Sequence, residues 1–402
     1  MKELHATFSG RRPGLANLTL IALGLAMFAL YERGRSLLDS PDSIVSIIAI
    51  VLVQGAFYAI SAWIVWRACA ARPTLIIVIA FAALFRLSLL FTPPALSSDM
   101  YRYIWDGRVQ AAGINPYRYV PVDEALEGLR DEAIYPRINR SEYAKTIYPP
   151  VAQIIFLAVT RISESVIWMK AAMVGFEAIT LWALAQLLAS LGHPRHRLLI
   201  YAWHPLPVWE FAGSGHIDAA AIAFIALALL ARRRKLESAA GVALACAALI
   251  KLIPVVLFPA LYRRWGWKMP LGFAETILLA YLPYLSVGAD VLGFLPGYSE
   301  EEGLLDGSRF FLLSLARRAL SIESIPSAPY FIFALLVLLS IAIWSLARRE
   351  QTEESYIRRA LVAALAFTLL LSPRYAWYFA WLVPFLCFAP MAAALYVTNA
   401  CF

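Results

Sequence analysis

The sequence predicts an all-α, polytopic integral membrane protein, a helical bundle of about 11–13 spans or half-spans with one long outer loop. Three observations carry this. Of 402 residues, 61% are hydrophobic and only 15% are charged, against about 45–50% and 25% in soluble domains. Mean hydropathy is +0.68. The apolar residues fall in runs near the roughly 20 residues that cross a bilayer. This composition excludes an ordinary soluble enzyme, a disordered chain and a disulfide-stapled secreted module. The formal net charge of +8 does not point to nucleic acid, because the basic residues sit at the ends of apolar runs.

The elements follow in order. The first run, 15–31, comes after Arg11 and Arg12 and has no A-x-A cleavage signal, so it reads as a retained helix. Runs at 43–66 and 74–91 follow. Residues 93–170 are too polar to cross in their first half and form the outer loop. Within it, Asp99-Met-Tyr-Arg-Tyr-Ile-Trp-Asp-Gly107 reads as an aromatic amphipathic helix, and Asn115-Pro-Tyr117 as a turn. The apolar stretch 151–160 is short enough to be interfacial or re-entrant. Runs at 171–191, 198–212 and 217–231 come next. The run 238–262 is broken at Lys251 and Pro254. Runs at 270–287, 329–347, 360–371 and 376–390 complete the set. No internal repeat separates a second unit, so residues 1–402 read as one transmembrane domain.

Orientation comes from Lys and Arg in short loops. Arg67/Arg72, Arg195/Arg197, Arg232 to Lys235, Arg263/Arg264 and Arg348/Arg349 fall on one side if the helices alternate, and that side is the cytoplasm. Both ends of 238–262 then face the cytoplasm. This run must enter and return, placing its Lys251-Leu-Ile-Pro254 tip at depth. Non-helical backbone there is tolerated only where it lines a cavity or is buried in protein.

Four polar constellations gather at the opposite edge. Asp99, Arg102 and Asp106 share one helical face, with about 10 Å between the carboxylates along the axis. That is too far for a shared proton and suits two roles around one substrate; a solvated Asp–Arg ion pair is the plain structural alternative. His216 and Asp218 lie two apart in Gly213-Ser-Gly-His-Ile-Asp218, after Trp203-His-Pro-Leu-Pro207 and Glu210; here Asp218 could equally cap the next helix. Lys251 has no charged neighbour in its own run and suits an anionic group such as phosphate, with snorkelling as the alternative. Ser372-Pro-Arg374-Tyr375-Ala-Trp377-Tyr378 offers another cation and aromatic rings for a sugar or an interface belt. The cysteines Cys69, Cys246, Cys387 and Cys401 show no CxxC spacing and read as inert thiols. No metal site and no cofactor are expected. A carboxylate base beside cations at membrane depth fits a lipid-linked phosphosugar, whose tail needs a groove between helices.

These residues resemble the polytopic clan C glycosyltransferases, and most of all the bacterial polyprenol-phosphate-mannose-dependent alpha-mannosyltransferases. The likeness rests on SSDMYRYIWDGR at Ser97–Arg108, NPY at Asn115–Tyr117, IYPP at Ile147–Pro150, WHPL at Trp203–Leu206, GHID at Gly215–Asp218, KLIP at Lys251–Pro254 and SPRYAWY at Ser372–Tyr378, in the family's order. The resemblance implies Asp99 as catalytic base, and Lys251 and Arg374 on the donor phosphate. It places Arg102, Asp106, His216, Asp218 and Tyr375 at sugar or acceptor contacts. It implies a polyprenyl-phosphate sugar as donor, a lipid or glycan as acceptor, transfer of mannose with inversion, and a site on the non-cytoplasmic face of a bacterial inner membrane. Glucose, galactose or a pentose would suit the same framework. A transporter or flippase would show paired repeat halves with matching breaks, and the sequence shows no such symmetry.

Overall fold

The computed structural model describes residues 13–38, 44–67, 72–94, 97–307, 309–321, 326–348, 352–372 and 375–401, and among them every regular element is helical. Among the described residues, six helices are long and apolar enough to cross a membrane. Of these, α1 (Pro13–Arg35), α2 (Ile44–Arg67) and α3 (Arg72–Leu90) pack together at the N-terminal side. The outer loop begins with α4 (Asp99–Ala111) and ends with α5 (Pro150–Thr160), which lie against each other. Then come α6 (Val166–Ser190), α7 (Asp218–Arg233), α8 (Glu237–Ala248) and α9 (Lys268–Tyr281), followed by α10 (Ser327–Ala347) and α11 (Ser355–Leu371).

Between α6 and α7 the sequence suggests one short span over 198–212, but the segment is broken. A single turn, Leu199–Ala202, stops at Trp203; Pro205 restarts the chain, and Val208–Gly213 forms a π-helical turn. Two prolines within three residues remove amide donors and prevent a continuous ladder. The freed backbone is satisfied by neighbours. Arg86 of α3 donates to the carbonyl oxygen of Ala202 at 2.8 Å while donating to both carboxylate oxygens of Glu177 in α6, at 3.0 and 2.6 Å. Tyr58 donates to the carbonyl oxygen of Ile200, and the Trp209 indole donates to Gln54. Irregular backbone is thus held inside protein, the condition for its presence at membrane depth.

The run at 238–262 doubles back on itself, with its two ends close together. At its tip, Lys251 lies 2.7 Å from Asp218, the first residue of α7. At its base, Arg263 lies 3.7 Å from Glu237, the first residue of α8. The descending limb is α8. The returning limb is the 3-10 helix Ile253–Leu257 and the turn Phe258–Leu261. Small residues let its neighbours close in. A Cβ on Gly241 would stand 2.1 Å from the carbonyl oxygen of Met269 in α9, so that position admits only hydrogen. The amides of Val151 and Ala152, opening α5, donate to the carbonyl oxygen of Leu249 and tie the outer loop to the hairpin tip.

Two other expected spans change shape. The run at 270–287 is α-helical only to Tyr281 and continues as a 3-10 stretch, Leu282–Leu292, because Pro283 and Gly288 interrupt it. The run at 376–390 is a 3-10 helix, Ala376–Leu382, with one further turn, Val383–Leu386. The outer loop is pinned by Arg108, which donates to Asp131 and Glu164 at 2.7 and 2.9 Å. Burial alone would raise the Asp131 carboxyl, but Arg108 and the amides of Ile134 and Tyr135 outweigh it and hold it down at about 2. The loop also grips the segment after α9: Asn115 donates to the carbonyl oxygen of Tyr284, Lys145 pairs with Asp290, and Arg140 pairs with Glu301. Cys387 is buried, Cys246 and Cys401 are half-buried, and all three are free thiols; Cys69 lies outside the described residues.

Candidate active site

The end of the bundle capped by the outer loop brings four distant parts of the chain together. The first is the start of α4. Asp99 follows Ser97, whose hydroxyl accepts from the Asp99 amide, and the Asp99 side chain remains 23% exposed. Its Oδ1 accepts from Asn139 Nδ2 at 2.8 Å, and its Oδ2 lies 3.9 Å from His216 Nδ1.

The second is the loop after the π-helical turn. The His216 amide donates to the carbonyl oxygen of Glu210 at 3.0 Å, folding the two side chains toward each other. Gly215 makes this possible: its φ of +74° is left-handed, and a Cβ there would collide with Met100. His216 Nε2 stands 3.2 Å from Glu210 Oε2. Both side chains are buried, and neither ring nitrogen of His216 nor Glu210 Oε2 has an aligned hydrogen-bond partner.

The third is the hairpin tip. Lys251 does have a charged partner, supplied from 33 positions away: Asp218, fully buried, at 2.7 Å. The other oxygen of Asp218 accepts from the Trp381 indole at 2.9 Å. Asp218 is therefore not a helix cap; Ile217 occupies the cap position, and the Asp218 side chain points to the hairpin. Its negative charge still suits the N-terminal end of α7.

The fourth is the aromatic segment near residue 377. Trp377 stacks on His216 at 4.0 Å and on Tyr375 at 4.5 Å, and Lys251 lies 4.5 Å from the centre of the Tyr378 ring. Arg374 lies outside the described residues.

A cavity of about 420 Å³ opens beside the hairpin tip. Its walls are largely apolar, including Leu252, Leu295 and Phe367, and Lys251, Tyr298, Tyr378 and Arg309 bring polar atoms to it. Arg309 is paired with Glu302 at 2.7 Å, both largely buried. In the sequence this pair is hidden in a connection; the partners are seven positions apart, with two glycines between them. Arg102 and Asp106 pair with each other at 2.8 Å and do not line this cavity. Asp106 Oδ2 accepts from Gln153, and Arg102 donates to the carbonyl oxygen of Ala144, so both side chains are committed to the wall of the outer loop. Among the described residues, no three His, Cys, Asp or Glu side chains converge on a point that could hold a metal ion.

Asp99 thus lies at the edge of His216 and Lys251 near the rings of Trp377 and Tyr378, with the acid partly exposed and the cation lining an apolar cavity. Such an arrangement can place a hydroxyl by a carboxylate and an anionic lipid head by a cation.

Residues 11–266 match the family model described as Alpha-(1->6)-mannopyranosyltransferase, N-terminal domain. That stretch is more than half of the chain and carries Asp99, Glu210, His216, Asp218 and Lys251. No curated protein and no solved structure matches the chain.

Proposed function

We propose, from the premise that this chain belongs to the alpha-(1->6)-mannopyranosyltransferase family and is therefore a membrane mannosyltransferase, that its donor is a polyprenyl-phosphate mannose. The acceptor is a hydroxyl of a glycan or lipid, reached from the non-cytoplasmic face of a bacterial inner membrane. The observation that carries this reading is the apolar cavity at Lys251, linked through the stacked Trp377 and His216 rings to Asp99. A polyprenyl chain needs aliphatic walls that open to lipid, and its phosphodiester needs a fixed cation.

The reaction is a single displacement. The acceptor oxygen attacks the anomeric carbon from the face opposite the phosphate, and the carbon–phosphate oxygen bond breaks with its electron pair leaving on the lipid phosphate. Asp99 takes the proton of the attacking hydroxyl. Lys251, oriented by Asp218, meets the charge that grows on the leaving phosphate, and Arg309 is a second cation at the same cavity. Arg374 joins them on sequence grounds alone. Tyr375 and Trp377 offer ring faces to a sugar. Arg102 and Asp106 support the acceptor wall from behind.

Purified protein in lipid nanodiscs, given short-chain polyprenyl-phosphate sugars and an alkyl α-mannoside, tests the reading. Transfer is expected from the mannosyl donor above glucosyl, galactosyl and pentosyl ones, and inversion is read from the anomeric couplings of donor and product. Transfer from a nucleotide mannose with none from the lipid phosphate would overturn the donor assignment.

A further inference from the structure

His216 stands between two carboxylates and uses neither ring nitrogen in an aligned hydrogen bond, although the ring is 1% exposed. A buried imidazole without partners is costly. The fold makes specific arrangements to keep it: the π-helical turn, the left-handed Gly215 and the stack under Trp377 all fix the ring edge-on between Asp99 and Glu210. π-Helical turns occur frequently at functional sites.

We infer that Glu210 and His216 form a proton relay behind Asp99; this rests on the reading of Asp99 as the acceptor base. In the resting site the His216 proton sits on Nε2, on the side of the Glu210 carboxylate 3.2 Å away, with which it is not yet aligned. Nδ1 then presents its lone pair toward Asp99 Oδ2. When the acceptor hydroxyl attacks, its proton passes to Asp99 and from there to Nδ1. The imidazolium so formed is held between Glu210 and the regenerated Asp99 carboxylate. After the product leaves, the proton returns through Asp99, the only member with an exposed edge, to the outer solvent. Proton and electron pair balance: the new C–O bond replaces the C–O bond to phosphate, and one proton reaches solvent. The 3.9 Å and 3.2 Å separations tighten when substrate excludes water from Asp99, as catalytic hydrogen bonds in substrate-free sites commonly do. Glu210 and His216 act through Asp99 and are positioning residues, in the manner of the orienting acid and imidazole of a hydrolase triad.

Other charged or titratable groups face this ring. Asp218 follows two residues later and is neutralised by Lys251. From α4, Tyr103 lies with its hydroxyl against the Ile217 amide. From α6, Lys170 runs beside Gly215 with its ammonium donating to the carbonyl oxygens of Leu89 and Thr92. Tyr375 reaches the ring only through Trp377. Glu210 is thus the closest charge to His216.

The test uses the full chain in nanodiscs, a short-chain polyprenyl-phosphate mannose and an alkyl α-mannoside, with Glu210→Gln, His216→Gln, their double variant and Asp99→Asn. Each relay variant is expected to lower kcat by less than the roughly 10²–10⁴-fold that the base itself contributes, with KM for donor unchanged. In Glu210→Gln the acid limb of the kcat profile moves to lower pH, because one negative charge no longer favours the transferred proton. The double variant is no slower than either single one, since the two act as a unit. Wild-type kcat and pH profile in both single variants, with Asp99→Asn inactive, would overturn the relay and leave Asp99 as base. Full activity in Asp99→Asn would overturn the base itself. A readout independent of turnover and of variant folding is the ¹⁵N spectrum of histidine-labelled wild-type protein. His216 is expected as the Nε2–H tautomer, and the Nδ1–H tautomer overturns the proposal.

Discussion

Asp99 and Asp106 are two turns apart on one helix, yet their surroundings assign them different work. Asp99 is partly open, accepts from Asn139 and lies beside His216, whereas Asp106 is closed in with Arg102 and Gln153. Asp99→Asn is expected to lower mannosyl transfer by about 10²–10⁴-fold, the range a positioned base contributes, with donor affinity retained. Asp106→Asn leaves the buried Arg102 without its counter-ion and is expected to cost about 3 kcal/mol of stability with a smaller effect on turnover per folded molecule. Assaying both variants with one donor and acceptor, beside their thermal midpoints, separates the two roles; an exchange of the two outcomes would exchange the residues. Lys251 follows the same logic. Its sequence surroundings suggest that methionine would fit, but the pair with Asp218 means that Lys251→Met alone strands a buried carboxylate. We expect a loss of about 3 kcal/mol. Lys251→Met with Asp218→Leu should regain much of that stability without regaining transfer. A single variant as stable as wild type would show the pair to be unimportant for folding.

The re-entrant hairpin decides where Lys251 goes, and it depends on how closely α8 and α9 approach. The contact of Gly241 with the Met269 carbonyl leaves no room for a methyl group. Gly241→Leu is expected to force the helices apart and to destabilise the protein by at least the roughly 1–3 kcal/mol of an overpacked core position. Because Lys251 sits at the end of the displaced limb, donor affinity should fall as well. Thermal unfolding in nanodiscs, with donor binding measured on the folded fraction, checks both effects. Unchanged stability would mean that the limb can shift at no cost. The same element shows what periodicity can and cannot supply. Charge parity at its two ends led to the expectation of a turn-back near Lys251, and the chain does double back there, whereas the break at 203–207 in an earlier run was visible only as two prolines.

At the scale of the whole molecule, the basic residues at the ends of α7 and the hairpin base lie opposite the outer loop. If the outer loop faces the non-cytoplasmic side, a cysteine placed at the exposed Glu142 reacts with an impermeant thiol reagent in intact cells. One placed at the exposed Arg234 reacts only after permeabilisation. Labelling should be carried out with the native cysteines replaced, and equal labelling of both positions would move the site to the other face. The six helices able to span carry much of the apolar surface, but the site is built mostly from the shorter and broken elements between them. Regular spans expose little backbone for chemistry, whereas broken ones free polar groups and glycine turns that can hold side chains at depth.

The amino-acid sequence by itself determined the membrane class, the order of the long apolar helices, the helix at Asp99 and the doubling back near Lys251. Each of these rests on local composition or on charge at the ends of apolar runs, which a linear reading contains. It also singled out His216, Asp218 and Lys251 as polar residues needing a reason. Only the tertiary structure decided who their partners are. Asp218 belongs to Lys251, Glu210 faces His216, Arg102 is taken by Asp106, and Arg309 reaches the cavity with Glu302. The physical reason is that buried charges must be paired. The partner is chosen by which helices meet in space, through contacts such as Gly241 on Met269 and α5 on Leu249, and not by distance along the chain.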